Sequence, residues 1–203
     1  MRLTLLFKLI LIAALTVPTL AVAEPSGPPT RIRGTIERFE DHALTVKSPD
    51  GKSVTVALAP DFTVRAVVAE TLADIKPGEK VGITSITGLD GARQAIEIHV
   101  FPADMSALRM GEFPWDRGAD SLMTNAPVAQ VSSAPQGGVI KVTLNGEERE
   151  ISVPPDTPIV TYATGDAALL KPGAAVFIIA RKEDGNVTAA GVTAEKNGVK
   201  PPM

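Results

Sequence analysis

The segment FPADMSALRMGEFPWDRGADSLMTN, Phe101 to Asn125, gathers most of the residue types able to do chemistry in this chain. It holds the only tryptophan, Trp115, together with Phe113 and with Met105, Met110 and Met123 out of five methionines. Segments of this length without regular structure are usually functional or disordered, and disordered ones are poor in aromatics. An ordered central linker over 102–125 is therefore expected. Three roles fit its residues. Phe113, Pro114 and Trp115 can fold back as a plug that caps one barrel mouth or cements the two barrels together, burying apolar area. Phe113 and Trp115, with Asp116, can form an aromatic platform for a saccharide or a partner protein, since aromatic anchors dominate such contacts. The thioethers of Met105, Met110 and Met123, with the imidazole of His99, can bind copper, because soft ligands suit Cu(I). The methionine spacing matches no ligand motif, and a lone methionine commonly fills a gap in a core.

Nucleophilic catalysis has little to work with. Cysteine is absent, histidine occurs only as His42 and His99, and there is no G-x-S-x-G elbow. The QGGV stretch at 136–139 reads as a hairpin turn, not a phosphate loop. Asp116 and Asp120, and Glu147, Glu148 and Glu150, are carboxylates whose pairing would have to be spatial; GEEREI reads as the solvated face of a strand. A non-catalytic protein is expected, with no cofactor.

The elements that must position these residues come in two copies. LADIKPGEKVGI at 72–83 returns as AALLKPGAAVFI at 167–178, and Pro60-Asp61 returns as Pro155-Asp156. The turn dipeptides recur in register as well: Asp50-Gly51 with Asn145-Gly146, and Asp90-Gly91 with Asp184-Gly185. Such pairs supply the positive φ angles of type I′ hairpins. Between them apolar residues alternate, as strands with one buried face require: Ile32/Gly34/Ile36, Leu44/Val46, Val54/Val56/Leu58, Val81/Ile83 and Ile96/Ile98/Val100. The second copy gives Val128, Ile140/Val142/Leu144, Ile151/Val153, Val176/Ile178 and Ala190/Val192/Ala194. On this alternation His99 points away from Ile98 and Val100, into solvent, and His42 beside Asp41 is a turn residue. Thr71 and Asp74 are spaced as a capping box. Lys76-Pro77-Gly78-Glu79 suits a type II turn feeding the fourth strand.

Three strands, a short connector and two strands is the order of a small five-stranded oligonucleotide/oligosaccharide-binding (OB) barrel. The expected fold is all-β: two tandem five-stranded OB-like β-barrels, over 31–101 and 126–196, with a tail at 197–203; the alternative is one merged β-sandwich, which the long central linker disfavours. An exposed barrel edge would be a place for a second copy to pair.

At the N-terminus, Arg2 and Lys8 precede an apolar run that ends in Ala21-Val22-Ala23, the pattern of a secretory signal peptide over 1–23 cleaved after Ala23. A Pro-rich lead follows at 24–30. The run is too short and too broken by Pro18 for a spanning helix, so a periplasmic or secreted location is expected, without a transmembrane segment after cleavage. Zero cysteines exclude disulfides, thiolate metal sites and a cysteine-linked lipid anchor. A net charge of −3 and an aromatic content of 4% argue against nucleic acid, which requires basic clusters and stacking platforms.

The stretches RIRGTIERFEDHALTVKSPDGKSVTVAL, TLADIKPGEKVGI and ARQAIEIHV resemble the small β-barrel domain of unknown function DUF5666, found in secreted bacterial proteins. The whole chain is similar to small periplasmic proteobacterial proteins that carry this domain twice around a centre resembling FPWD…SLMTNAPV. The resemblance implies fold and compartment and carries no catalytic motif. The second copy departs from the pattern where APVAQVSS lacks the arginine-glycine start. The expected function is an exported binding or structural module, with Phe113, Trp115 and Asp116 as contact residues. The alternative is low-specificity copper binding through His99, Met105, Met110 and Met123.

Overall fold

The computed structural model describes residues 29–105, 108–183 and 185–202, and the expected signal peptide lies outside them. The described chain is all-β. Its strands are β1 (Pro29–Glu40), β2 (Ala43–Lys47), β3 (Ser53–Ala69), β4 (Lys80–Thr87), β5 (Arg93–Phe101), β6 (Gly111–Pro114), β7 (Leu122–Ala134), β8 (Gly137–Leu144), β9 (Glu147–Val153), β10 (Ile159–Thr164), β11 (Ala175–Glu183) and β12 (Asn186–Ala194). No helix among the described residues is long and apolar enough to cross a membrane.

A closed five-stranded barrel is present, but its strands are not contiguous in sequence. β1, β2 and β3 pair antiparallel in order. β11 then lies antiparallel to β1, β12 antiparallel to β11, and β12 runs parallel to β3 to close the ring. Three strands thus come from the first copy and two from the second. The other strands pair in the reciprocal way. β7, β8 and β9 of the second copy join β4 and β5 of the first, with one parallel pair, Gln94 with Ser152, between β5 and β9. β10 lies antiparallel to β3 and parallel to β5, so that all the ladders belong to one sheet.

The expected tandem arrangement, each copy closing on itself, is therefore not what the ladders show. The physical reason lies in the repeated KPG corners. Gly78 and Gly173 have φ near +90°, and Glu79 and Ala174 donate back to Lys76 and Lys171 as type II turns require. Each corner then docks on the first strand of the other copy. Gly173 N donates to Ile36 O and Ile36 N to Ala174 O; Gly78 N donates to Val128 O and Val128 N to Glu79 O, all at 2.8–2.9 Å.

Most of the alternation read from sequence lands on two apolar cores, but Ile96 and Ala190 do not: bulges in the β4–β5 and β3–β12 ladders skip them and turn Ala95 and Ala189 inward instead. Ile36, Leu44, Val46 and Val56 pack with Val176 and Ile178 in the first. Val81, Ile83 and Ile98 pack with Ile140, Val142 and Ile151 in the second. Each core draws on both copies, and each buried aliphatic side chain contributes about 1.5–3 kcal/mol.

Three local expectations are refined. Asn145 and Gly146 both have positive φ, as in a type I′ hairpin, whereas at Asp50-Gly51 and Asp90-Gly91 only the glycine does. There Gly51 N donates to Ser48 O and Gly91 N to Gly88 O, so glycine completes a longer turn. β3 runs past Pro60 because the proline sits in a bulge: its register against β12 jumps from Leu58 opposite Ala189 to Thr63 opposite Gly191. β6 and β10 were not anticipated from the sequence. His42 is a turn residue, with φ of 62°.

Candidate functional site

β3 and β10 meet at the junction of the two sets of strands, and a cleft of about 490 Å³ opens beside them. One wall comes from β1, β3, β11 and β12, and the other from β5, β7, β10 and the central segment. The segment is held in place by β6, which pairs with β7 so that Phe113 lies opposite Met123. Trp115 N donates to Ser121 O at 2.8 Å. Trp115 bridges the two walls, with Arg31 of β1 stacked on its ring. It is half-buried, edge-on to Phe113 at 6.0 Å and lines the cleft.

Asp116 stands just outside the lining and anchors this wall. Both its carboxylate oxygens accept from Arg33, at 2.7 and 2.8 Å, and Arg31 is 3.9 Å away. Partial burial raises the Asp116 carboxyl, but the Arg33 hydrogen bonds and the charges of Arg33 and Arg31 outweigh it and hold it below the usual value. Arg31 stacks its guanidinium 3.7 Å from the Trp115 ring centre. The contact residues expected from sequence are thus brought together, with Phe113 and Trp115 in the lining and Asp116 tethering their segment to β1.

His99 departs from its expected exposure. It does point away from the core, but that outer face is covered, and the residue is 1% exposed. Alternation reports which face a side chain takes and not what lies over it. Tyr162 on β10 provides part of the cover, stacked at 5.9 Å on His99 and 6.0 Å on Phe101. Its hydroxyl lies 2.9 Å from His99 Nδ1. Burial lowers the imidazole pKa to about 3, so the ring is neutral. A buried phenol with one partner donates its proton to it, which makes Nδ1 the acceptor and leaves the proton on Nε2. That Nε2 is buried without a partner.

Asn125 supplies the complementary group. Its Nδ2 donates to Arg109 O at 2.8 Å, which fixes the amide so that Oδ1 is the free acceptor, also buried without a partner. Both residues sit across from Gly82, His99 on β5 and Asn125 on β7. A Cβ at Gly82 would lie 2.7 Å from Phe101 and 2.8 Å from Asn125 Oδ1. Glycine here keeps the Phe101 and Asn125 side chains where they are. Asn125, Tyr162 and Gly82 were missed in the sequence, although a tyrosine in a β-branched run between prolines was an available signal.

The potential copper ligands are only partly gathered. His99, Met105 and Met123 line the cleft, whereas Met110 does not and is 44% exposed. No group of three or more His, Cys, Asp or Glu able to hold a metal ion occurs among the described residues. The carboxylates are spoken for structurally. Asp120 accepts from Thr87 N at 2.7 Å, and Glu147, Glu148 and Glu150 are exposed.

No family model, curated protein or solved structure matches the chain. The cleft therefore stands on its own chemistry. It has aromatic walls, and three residues of its lining each carry a buried polar atom without a partner: His99 Nε2, Asn125 Oδ1 and Trp115 Nε1. An unpaired buried polar group costs about 1–3 kcal/mol. Three around one concavity are an arrangement suited to a bound molecule that repays the cost.

Proposed function

We propose that this protein is an exported, non-catalytic binding module whose ligand occupies the cleft between its two sets of strands. The observation that carries the reading is the pair of buried, unpartnered groups, His99 Nε2 and Asn125 Oδ1, in an aromatic-lined concavity. Ligand sites are largely apolar with a few placed polar groups. The same proposal takes both rings of strands as OB-like barrels, with the order 1-2-3-5-4 and one parallel pair each, assembled by exchange between two DUF5666-like copies. It keeps the periplasm as the compartment, on the residues of the N-terminal run.

The test is thermal denaturation of the mature protein against a small-molecule panel, compared with Trp115→Ala and with Met105→Ala. The binding reading expects stabilisation by panel members that Trp115→Ala abolishes. Copper binding is the second reading, favoured by a neutral His99 that lines the same cleft as Met105 and Met123; it requires the imidazole proton to move from Nε2 to free that nitrogen for the metal. It expects stabilisation by Cu(I) that Met105→Ala abolishes. A protein that responds to neither overturns both.

A further inference from the structure

The charges around the cleft say more about what enters it. Its lining includes Arg31, Arg65 and Arg109 and no aspartate or glutamate, in a chain whose net charge is −3. Arg31 is committed, stacked on Trp115 and near Asp116. Arg65, on β3, has no ion pair among the described residues. Arg109 lies 4.3 Å over the Phe113 ring and likewise has no carboxylate partner there. Two cations thus face a concavity without their counter-charge, on an otherwise acidic protein. A guanidinium presents a planar fork of donors matched to a carboxylate or phosphate.

Resting on the cleft being a binding site, we propose that it takes a small organic anion: an aromatic or branched apolar body, one carboxylate or phosphate head and one hydroxyl or amide group. Each part has a counterpart. The head is held by Arg65 and Arg109. The body lies against Trp115, Phe113 and Phe101. The hydroxyl or amide accepts from His99 Nε2 and donates to Asn125 Oδ1, satisfying both buried groups at once. A neutral sugar would satisfy the donor and acceptor but leave both arginines unpaired, and a bare inorganic anion would leave the aromatic walls empty.

The experiment is calorimetric titration of the mature protein with 4-hydroxybenzoate and N-acetyl-L-phenylalanine. Their neutral counterparts 4-hydroxybenzamide and N-acetyl-L-phenylalaninamide, phenyl phosphate, inorganic phosphate and a neutral disaccharide complete the set. The expected result is binding of at least one acid, an order of magnitude or more weaker for its amide, with affinity that falls as salt is raised. Arg65→Gln and Arg109→Gln should each weaken the acid and leave the amide unchanged, with denaturation midpoints close to wild type. Phenyl phosphate against the acids tells which head is preferred. Equal binding of acid and amide, or of the neutral disaccharide alone, overturns the anion and leaves the binding module standing. Silence from every probe at millimolar concentration overturns the anion inference, while the panel screen above decides the module separately.

Discussion

Val67 on β3 and Tyr162 on β10, equivalent positions when LADIKPGEKVGI is laid over AALLKPGAAVFI, pair with each other. The hydrogen bonds on either side repeat the relationship. Glu70 N donates to Ile159 O at 2.9 Å and Gly165 N to Val64 O at 3.0 Å, each bond the image of the other. An approximate two-fold axis therefore passes through this pair, and the strands exchanged between copies are arranged about it. The site breaks the symmetry. Tyr162 has a hydroxyl to give to His99, and Val67 has none.

If the first barrel draws β11 from the second copy, a cavity made there must weaken the first copy's strands. Ile178→Ala removes a fully buried side chain from the core that contains Leu44 and Val46. A loss of about 2–5 kcal/mol is expected, with faster amide exchange at Leu44 and Val46 and little change at Ile140 and Val142. Loss confined to the second copy's own strands would contradict the exchange.

The buried imidazole makes a signed prediction about pH. His99 is held neutral by burial, at about 3 against an ordinary value of 6.5. The unfolded chain takes up a proton below that ordinary value and the folded chain does not, so stability falls as pH drops below about 6.5. Glu97 acts in the opposite sense. Its burial, working against its Thr84 hydrogen bond, raises its carboxyl, so its contribution is lost as pH rises through the folded value. Asp116, held low, matters only under more acid conditions. Denaturation midpoints of wild type and His99→Gln, compared at about pH 7 and about pH 5, should show the larger loss in wild type. Equal losses would remove His99 from the account.

Gly82 tests the tightness of the cleft floor. An added methyl would meet Phe101 and Asn125 at under 3 Å. Gly82→Ala should cost about 1–3 kcal/mol and displace the Phe101 ring, visible in its aromatic proton shifts. An unchanged ring environment would show that the floor yields elsewhere.

The Arg33–Asp116 pair is two-pronged but partly exposed, its carboxylate side chain 40% accessible. Asp116→Asn should therefore cost only about 1 kcal/mol. It should also loosen the wall by freeing Arg31, seen as easier acrylamide quenching of Trp115. Unchanged quenching would mean that β6 alone holds the segment.

Much of this arrangement was legible in the sequence, in a specific way. Strict alternation marked Leu44, Val46, Ile83, Ile98, Ile140 and Ile178 as inward, and they are. Pro77-Gly78 and Pro172-Gly173 marked the corners. What alternation does not encode is partnership, because it reports which face of a strand is buried and not which neighbour the strand pairs with. That choice is made by where the KPG corners dock, on Ile36 and Val128 of the opposite copies. His99 was misjudged for a related reason. Its face was readable, but its cover comes from Tyr162, 63 residues away, in a strand the sequence reading did not mark. Trp115, Phe113 and Asp116 were found because their types are rare in this chain, whereas Asn125 is an ordinary residue made significant only by the orientation of its amide.

The central claim is that the closed barrel, the outer strands and the cleft beside them each draw strands from both halves of the chain. Its most direct test is to produce residues 29–101 and 102–202 as separate chains and to follow circular dichroism and Trp115 emission, alone and after mixing. The account expects neither chain to unfold cooperatively by itself, and a one-to-one mixture to regain the sheet signal and the Trp115 emission of the intact protein. Two independently folded halves, each with its own cooperative transition and unaffected by mixing, would contradict it.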